Sequence, residues 1–304
     1  MVEHPLVAAV VLNWRLPEAA LTCAQDLAGC GYGPLEVLLV DNGSGDGSAD
    51  RLLQGAGNGV EVQALDHNEG YCKAINRGLS WARAKGAEFV LLLNNDIRLP
   101  EGFLTPLVEV MVNDPDVAAA APTALDPDGR VWCQGGKVGF FPNLAKLGDQ
   151  NAFPAAVSGG PVSVDFVPGA CAIYRLSDLE AVGDLDESYF MYVEDMDVCC
   201  KLRKAGKKVL WIPWTRVTHD VSASSGGGRT PLRKYLCALN TPRYLRAHGT
   251  ARLWLAFVLF DLLGWPFALV TGGGFKDTWA KGRGAWEGLF GKRASADDVA
   301  RWHR

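Results

Sequence analysis

Three groups of oxygen-bearing side chains, far apart in the chain, have types and spacing suited to chemistry on a phosphate-bearing ligand. Asn94-Asn95-Asp96 follows directly on the apolar run Phe89-Val90-Leu91-Leu92-Leu93. A carboxylate flanked by amides offers the oxygen ligands that hard divalent cations such as Mg2+ and Mn2+ favour. Asn and Asp are also ordinary turn residues, so a plain turn after a strand accounts for the triplet on spacing alone. Glu194-Asp195-Met196-Asp197 is the second group. A carboxylate can take the proton from an attacking hydroxyl. Acids at a helix start also act as caps favoured by the dipole, although capping needs only one. The third group is Asp41-Asn42-Gly43-Ser44. Here Asp41 can accept a hydrogen bond from the N3–H of a uracil or thymine, with Gly43 allowing close backbone approach. A solvated turn explains that loop equally well.

These groups need a scaffold that brings them together, and the hydrophobic pattern supplies one. Leu6 to Leu12, Leu35 to Val40, Val60 to Ala64 and the run at 89–93 read as strands, the longer runs apolar enough to be buried on both faces. Helices are predicted over 17–29, where Pro17 suits a first turn, over 49–54, and from Gly70 to a stop at Lys85-Gly86. This alternation predicts a mostly parallel sheet covered by helices, with ligands at the carboxyl ends of the strands. Asn13 ends the first strand there. Beyond Pro100 the sequence predicts a helix over 103–113 and a strand over 117–121. A long irregular stretch with Trp132, Phe140 and Phe141 follows, the tryptophan reading as core more readily than as a sugar-stacking ring. Val162 to Arg175 reads as a strand broken at Pro168-Gly169, residues 198–205 as a helix, and Val209 to Trp211 as a further strand.

The 304 residues carry a net charge of −4 that conceals a polarity: residues 1–200 hold 11 Lys and Arg against 28 Asp and Glu, and residues 201–304 hold 19 against 6. A basic end on an acidic body points to an anionic partner. The positive charges flank a greasy stretch, Leu253 to Thr271, and do not stand among exposed aromatics, which disfavours nucleic acid. That stretch contains Asp261 and is broken by Gly264 and Pro266. It is marginal for a spanning helix, which needs about 20 apolar residues, and suits a helical hairpin lying in the membrane interface. A contact between copies of the chain is the alternative use of the same face. The eight cysteines contain no C-x-x-C pair and read as buried thiols in a reducing cytoplasm, and the first twenty residues show no signal-peptide pattern.

Taken together, Asn13, the Asp41-Asn42-Gly43-Ser44 loop, Asn68-x-Gly70-Tyr71 through Asn76-x-Gly78, and Leu93-Asn94-Asn95-Asp96 resemble the bacterial family 2 glycosyltransferases of the GT-A fold, in particular their rhamnosyltransferase-like members. The resemblance implies a Rossmann-like catalytic domain over 1–228, and the charge and hydropathy of residues 229–304 predict a basic, apolar helical region that is membrane-associated. It implies that Asn13, Asp41, Gly43, Asn68, Gly70, Asn76, Asn94, Asn95 and Gly169 line a nucleoside diphosphate sugar. Asp96 is the metal carboxylate, in a variant of the D-x-D motif where Asn94 replaces the commoner Asp. Asp195 is the catalytic base and Glu194 its neighbour in the acceptor pocket. His219, five residues before Ser224, matches an H-x-x-x-x-S element that completes the metal site with Mg2+ or Mn2+, and Arg229 is an anion contact. The implied activity is inverting transfer of a sugar, L-rhamnose from dTDP-rhamnose, to a lipid-linked or surface saccharide at the inner face of the cell membrane. UDP-galactofuranose, UDP-hexose and GDP-mannose are the alternative donors. A sugar nucleotidyltransferase is the rival activity, and it wants glycines that Asn13-Trp14-Arg15-Leu16-Pro17 lacks.

Overall fold

In the computed structural model, which describes residues 4–139, 144–148, 159–220, 230–264 and 274–302, the predicted alternation is realised from the start. β1 (Val7–Asn13), α1 (Pro17–Ala28), β2 (Leu35–Asp41), α2 (Ser48–Gly55), β3 (Val60–Ala64), α3 (Tyr71–Ala84) and β4 (Phe89–Asn94) follow one another, with β3, β2, β1 and β4 adjacent and parallel. Side chains along β1 alternate between two cores: Ala8 and Val10 pack on one face, Val7, Ala9 and Val11 on the other. β4 does the same with Val90 and Leu92 against Phe89, Leu91 and Leu93. This is why the two strands read as unbroken apolar runs.

The sheet continues through β5 (Ile97–Arg98), α4 (Leu104–Asn113), β6 (Val117–Leu125), β7 (Val131–Cys133), and a small pair, β8 (Gly136–Val138) and β9 (Ala145–Leu147). Next come β10 (Val162–Ser163), β11 (Cys171–Arg175), α5 (Leu176–Ala181), α6 (Glu194–Lys204) and β12 (Lys208–His219). β11 runs antiparallel between β4 and β6, and β12 lies parallel to β6. The expected strands at 117–121 and 209–211 both run further than the sequence suggested. Pro122 and Pro213 fall at one register break, where Ile212 pairs with Pro122 and Arg216 with Thr123. Two residues without an N–H share a single gap in the ladder, and the strands resume beyond it. That continuation carries His219 to Ile97 at the rim.

The C-terminal part is helical: α7 (Pro231–His248), α8 (Ala251–Phe257) running into a π-helical turn at Val258–Leu263, α9 (Phe275–Leu289) and α10 (Ala296–Trp302). Among the described residues no helix is long and apolar enough to cross a membrane. Residues 265–271 of the expected apolar stretch, including Trp265 and Pro266, lie outside the described residues. Asp261, which counted against insertion, is buried and paired with Lys281 at 2.6 Å. α7 joins the main core through Ala238, Tyr244 and Leu245, and a satellite core through Leu232, Tyr235, Leu236 and Leu239.

Candidate active site

The registers place the chemistry. Asn13 stands opposite Asp41 and Leu12 opposite Asn94, so β1, β2 and β4 end at one rim. The Asp41 carboxylate is 1% exposed. Its Oδ1 accepts from Asn13 Nδ2 at 2.7 Å and from Ser44 Oγ at 2.6 Å, and its Oδ2 from the Ser44 backbone N–H at 3.0 Å. A carboxylate has about four acceptor positions, so one on Oδ2 remains for a base N–H. Asn95 donates to Asn13 Oδ1 at 2.8 Å, which makes its amide a brace for the Asn13–Asp41 pair. Asn42 donates to Asn68 Oδ1 and to the Gly70 carbonyl, knitting the loop after β2 to the start of α3.

Two glycines are needed for reasons the sequence did not reveal. At Gly43, with φ 61°, a Cβ would lie 2.1 Å from the His67 carbonyl carbon, so the close approach there is to the chain's own backbone. At Gly70, with φ 88°, it would meet Phe190 at 2.8 Å. Gly169 faces Tyr71 and Asp195, and Tyr71 donates its hydroxyl to the Gly169 carbonyl at 3.0 Å. Asn76 stands apart from the cluster. Its side-chain amide binds the Leu185 carbonyl and Glu187, and its oxygen accepts the Leu185 N–H, so it fastens α3 to the loop before Tyr189. Asn94, half-buried, donates its backbone N–H to Ala170 and joins the two sides of the cleft.

Asp96 and His219 meet although 123 positions separate them. Asp96 Oδ1 is 3.2 Å from His219 Nε2, with the residues 3% and 5% exposed. The Trp132 indole packs edge-on against the imidazole with ring centroids 4.3 Å apart. Trp132 thus holds the histidine's ring plane, a role that its position in an irregular stretch concealed. A buried carboxylate beside an imidazole supplies the hard oxygen and borderline nitrogen donors that Mg2+ or Mn2+ accepts. His219 Nδ1 is buried without a hydrogen-bond partner among the described residues, an arrangement a bound ion with its own ligands can reorganise. Among the described residues no group of three or more His, Cys, Asp and Glu gathers as a metal cage. An ion held by these two side chains would take its remaining ligands from substrate oxygens and water. Ser224, Ser225 and Arg229 lie outside the described residues.

The acids at 194–197 start α6 as expected, and the structure separates their tasks. Asp197 is buried. Burial pushes its carboxyl up, but His248 at 2.7 Å and Lys201 at 2.7 Å outweigh it and leave the group below the ordinary carboxylate range. Glu194 is buried, and burial together with Asp195 pushes its carboxyl well up. Asp195 is only partly enclosed. Its Oδ1 accepts the Met196 N–H at 2.8 Å and its Oδ2 the Gly169 N–H at 3.4 Å. Burial raises its carboxyl to about 6. Asp195 therefore has the open edge and the acidity that a proton acceptor near neutral pH needs.

Residues 16–183 match the sequence family described as glycosyl transferase family 2. The chain belongs to this family. The matched region contains Asp41, Asp96 and Gly169 and ends before Glu194. A family relative, the N-acetylglucosaminyl-diphospho-decaprenol L-rhamnosyltransferase of Mycobacterium tuberculosis, is 29% identical over 212 residues, covering 64% of this chain and 69% of its own. The dTDP-rhamnosyl transferase RfbF of Shigella flexneri is 25% identical over 225 residues, covering 73% and 70%. Among solved structures, the mannosyltransferase PcManGT from Pyrobaculum calidifontis, in complex with GDP-Man and Mn2+, superposes with a TM-score of 0.60 at 17% identity, over 99% of this chain and 79% of that one. The GT-A fold is thereby shown, and the protein is a rhamnosyltransferase-like glycosyltransferase of family 2.

One residue that holds the turn before the acids of this glycosyltransferase gave no local signal. Tyr192 and Val193, just before the acids, have φ of 69° and 76°. Left-handed backbone costs about 1–3 kcal/mol per non-glycine residue, and a β-branched side chain is among the least tolerant of it. Asn240, fully buried on α7, donates both amide hydrogens to this turn, to the Met191 and Tyr192 carbonyls, each at 2.9 Å. Arg243 adds a bond to the Ser188 carbonyl at 2.7 Å. Asn240→Ala is expected to lower kcat by about tenfold or more, since small misplacements of a catalytic group are costly. It should leave the donor KM near its normal value, and steady-state kinetics at saturating donor checks this.

Proposed function

We propose that the protein transfers L-rhamnose from dTDP-rhamnose to a saccharide acceptor carried on a lipid, inverting the anomeric centre. The reading rests on one observation above all. A partly open carboxylate, Asp195, lies beside Gly169, and the next residue, Ala170, accepts the backbone N–H of Asn94 at the end of β4, two residues before the Asp96 that faces His219. The printed activities of the two relatives named above give the donor sugar and, for the mycobacterial enzyme, a lipid-borne acceptor.

In this reading Asp41 takes the N3–H of the thymine through the free position on Oδ2, and the Asn13–Asn95 brace fixes its carboxylate plane. Asp96 and His219 would hold a Mg2+ or Mn2+ ion, which would supply positive charge to neutralise the departing diphosphate. The acceptor hydroxyl enters beside Gly169, next to the Asp195 carboxylate. Its oxygen bonds to the anomeric carbon as its proton passes to Asp195, and the bond from that carbon to the diphosphate oxygen breaks in the same displacement. Glu194, carrying its proton, borders the acceptor pocket without adding a second negative charge. The cytoplasmic face of the cell membrane is where a lipid-borne acceptor and a soluble nucleotide sugar meet.

A thermal-shift panel of dTDP-rhamnose, UDP-galactofuranose, UDP-glucose and GDP-mannose, with and without Mn2+, tests the donor. A ligand that binds only the native state raises apparent stability by about 2.7 kcal/mol at a hundredfold excess over its Kd. The largest shift is expected with dTDP-rhamnose and Mn2+. A larger shift with another nucleotide sugar would move the donor assignment, and no shift with any would remove it.

A further inference from the structure

α9 is built inside out. Its inward face against α7 is made of small residues, and Gly284 and Gly288 sit so close that a Cβ would stand 2.3 Å from the Tyr235 carbonyl oxygen and 2.1 Å from that of Leu239. Its large apolar residues point the other way. Phe275, Trp279, Trp286 and Phe290, the last just past the helix end, are exposed, Trp286 by 60% and Phe290 by 71%. At about 100° per residue these four fall within an arc of about 60°, forming a stripe about 22 Å long. Lys276 and Arg283 fall on the edge of the same arc. A helix whose only partner were the protein core would show the reverse pattern, with its rings inward. The segment before it, Ala251–Leu263, exposes Leu255, Leu259 and Leu263 at a spacing of four, a second outward row.

At the end of the stripe, Phe290 lines an open cavity of about 740 Å³ together with Arg243, Arg246 and Arg293. The hydrogen bonds of Arg243 and Arg246 go to carbonyl oxygens, those of Ser188, Lys292, Gly288 and Leu289. Among the described residues no carboxylate is paired with any of the three. Like charges grouped this way favour a multivalent anionic partner. They also weigh against a second copy of the chain. An isologous contact would set arginine against arginine if the two α9 helices ran parallel, and arginine against the Lys276 end if they ran antiparallel.

We propose that the outward face of α9, with the arginine-lined cavity at its end, docks on the surface of an anionic phospholipid bilayer. The aromatic rings enter the interface and the arginines meet lipid phosphates. This surface gives a physical basis to the membrane-side reaction proposed above, and it is tested without donor or acceptor, so its failure and the failure of that reading are separate results.

The full chain is sedimented with phosphatidylcholine vesicles and with vesicles that also contain phosphatidylglycerol. It should bind the second strongly, bind the first weakly, and lose binding as salt rises. Trp286→Ser with Phe290→Ser, and separately Arg293→Glu, should each weaken binding to the anionic vesicles by about tenfold. The melting temperature should stay unchanged, because these side chains face outward. Wild-type protein that ignores both vesicles, or variants that bind as the wild type does, would overturn the proposal. So would sedimentation velocity showing a dimer that the double substitution dissociates.

Discussion

Asp195→Asn is expected to reduce sugar transfer by about 10²–10⁴-fold, the usual worth of general base catalysis, while donor binding stays close to normal. The substitution keeps the size of the side chain and an acceptor for the Met196 or Gly169 N–H, but removes the group that takes the proton. The wild-type rate should also depend on pH in a particular sense. The carboxyl is raised by burial from 3.8 to about 6, and only its ionised form is a base, so kcat should rise with pH through about 6 and level off above it. Stability runs the opposite way. A raised acid favours the fold while protonated, so its contribution is complete below about pH 3.8 and fades as pH climbs through about 6. The Asn variant should therefore exceed the wild type in melting temperature by more at pH 8 than at pH 5, and match it only below about pH 3.8. A flat rate profile between pH 5 and 8, or an Asn variant at full speed, would refute the assignment.

The second large effect is expected at the rim of β4 and β12. Asp96→Ala should cancel the extra thermal stabilisation that Mn2+ gives in the presence of a nucleoside diphosphate, and should lower transfer by about 10³-fold, in keeping with several kcal/mol of charge stabilisation. His219→Ala should act in the same direction. Chelation with EDTA should bring the wild type down to the level of the variants and leave the variants unchanged. Stabilisation by nucleotide and Mn2+ that survived Asp96→Ala would show that the Asp96–His219 pair is a structural contact only. The direct 3.2 Å contact between the two side chains is why both substitutions are expected to act alike.

The sequence revealed strands wherever burial on both faces left an unbroken apolar run, as in β1 and β4, and it revealed the rim because the polar residues begin abruptly where those runs stop. It failed where a local rule met a long-range exception. Pro122 and Pro213 each look like strand ends, and only the paired register shows that they share one gap. Asn76 and Gly43 sit in motif positions, but the first is taken up by Leu185 and Glu187 and the second by the His67 backbone, partners that no spacing along the chain indicates. Asn95 has the composition of a ligand contact and serves as a brace. Trp132 and Asn240 escaped for the same reason. Each acts on a residue about fifty to ninety positions away, and neither has a local pattern to mark it.

The grip of Asn240 on the turn before Glu194 bears on how such enzymes can be recombined. A chimera that joined residues 1–228 of this protein to the tail of a relative would inherit its acids on a backbone whose clasp had been left behind. Exchange between members should succeed when the left-handed turn and the helix carrying its asparagine travel as a pair, and should yield folded but idle hybrids when the junction falls between them.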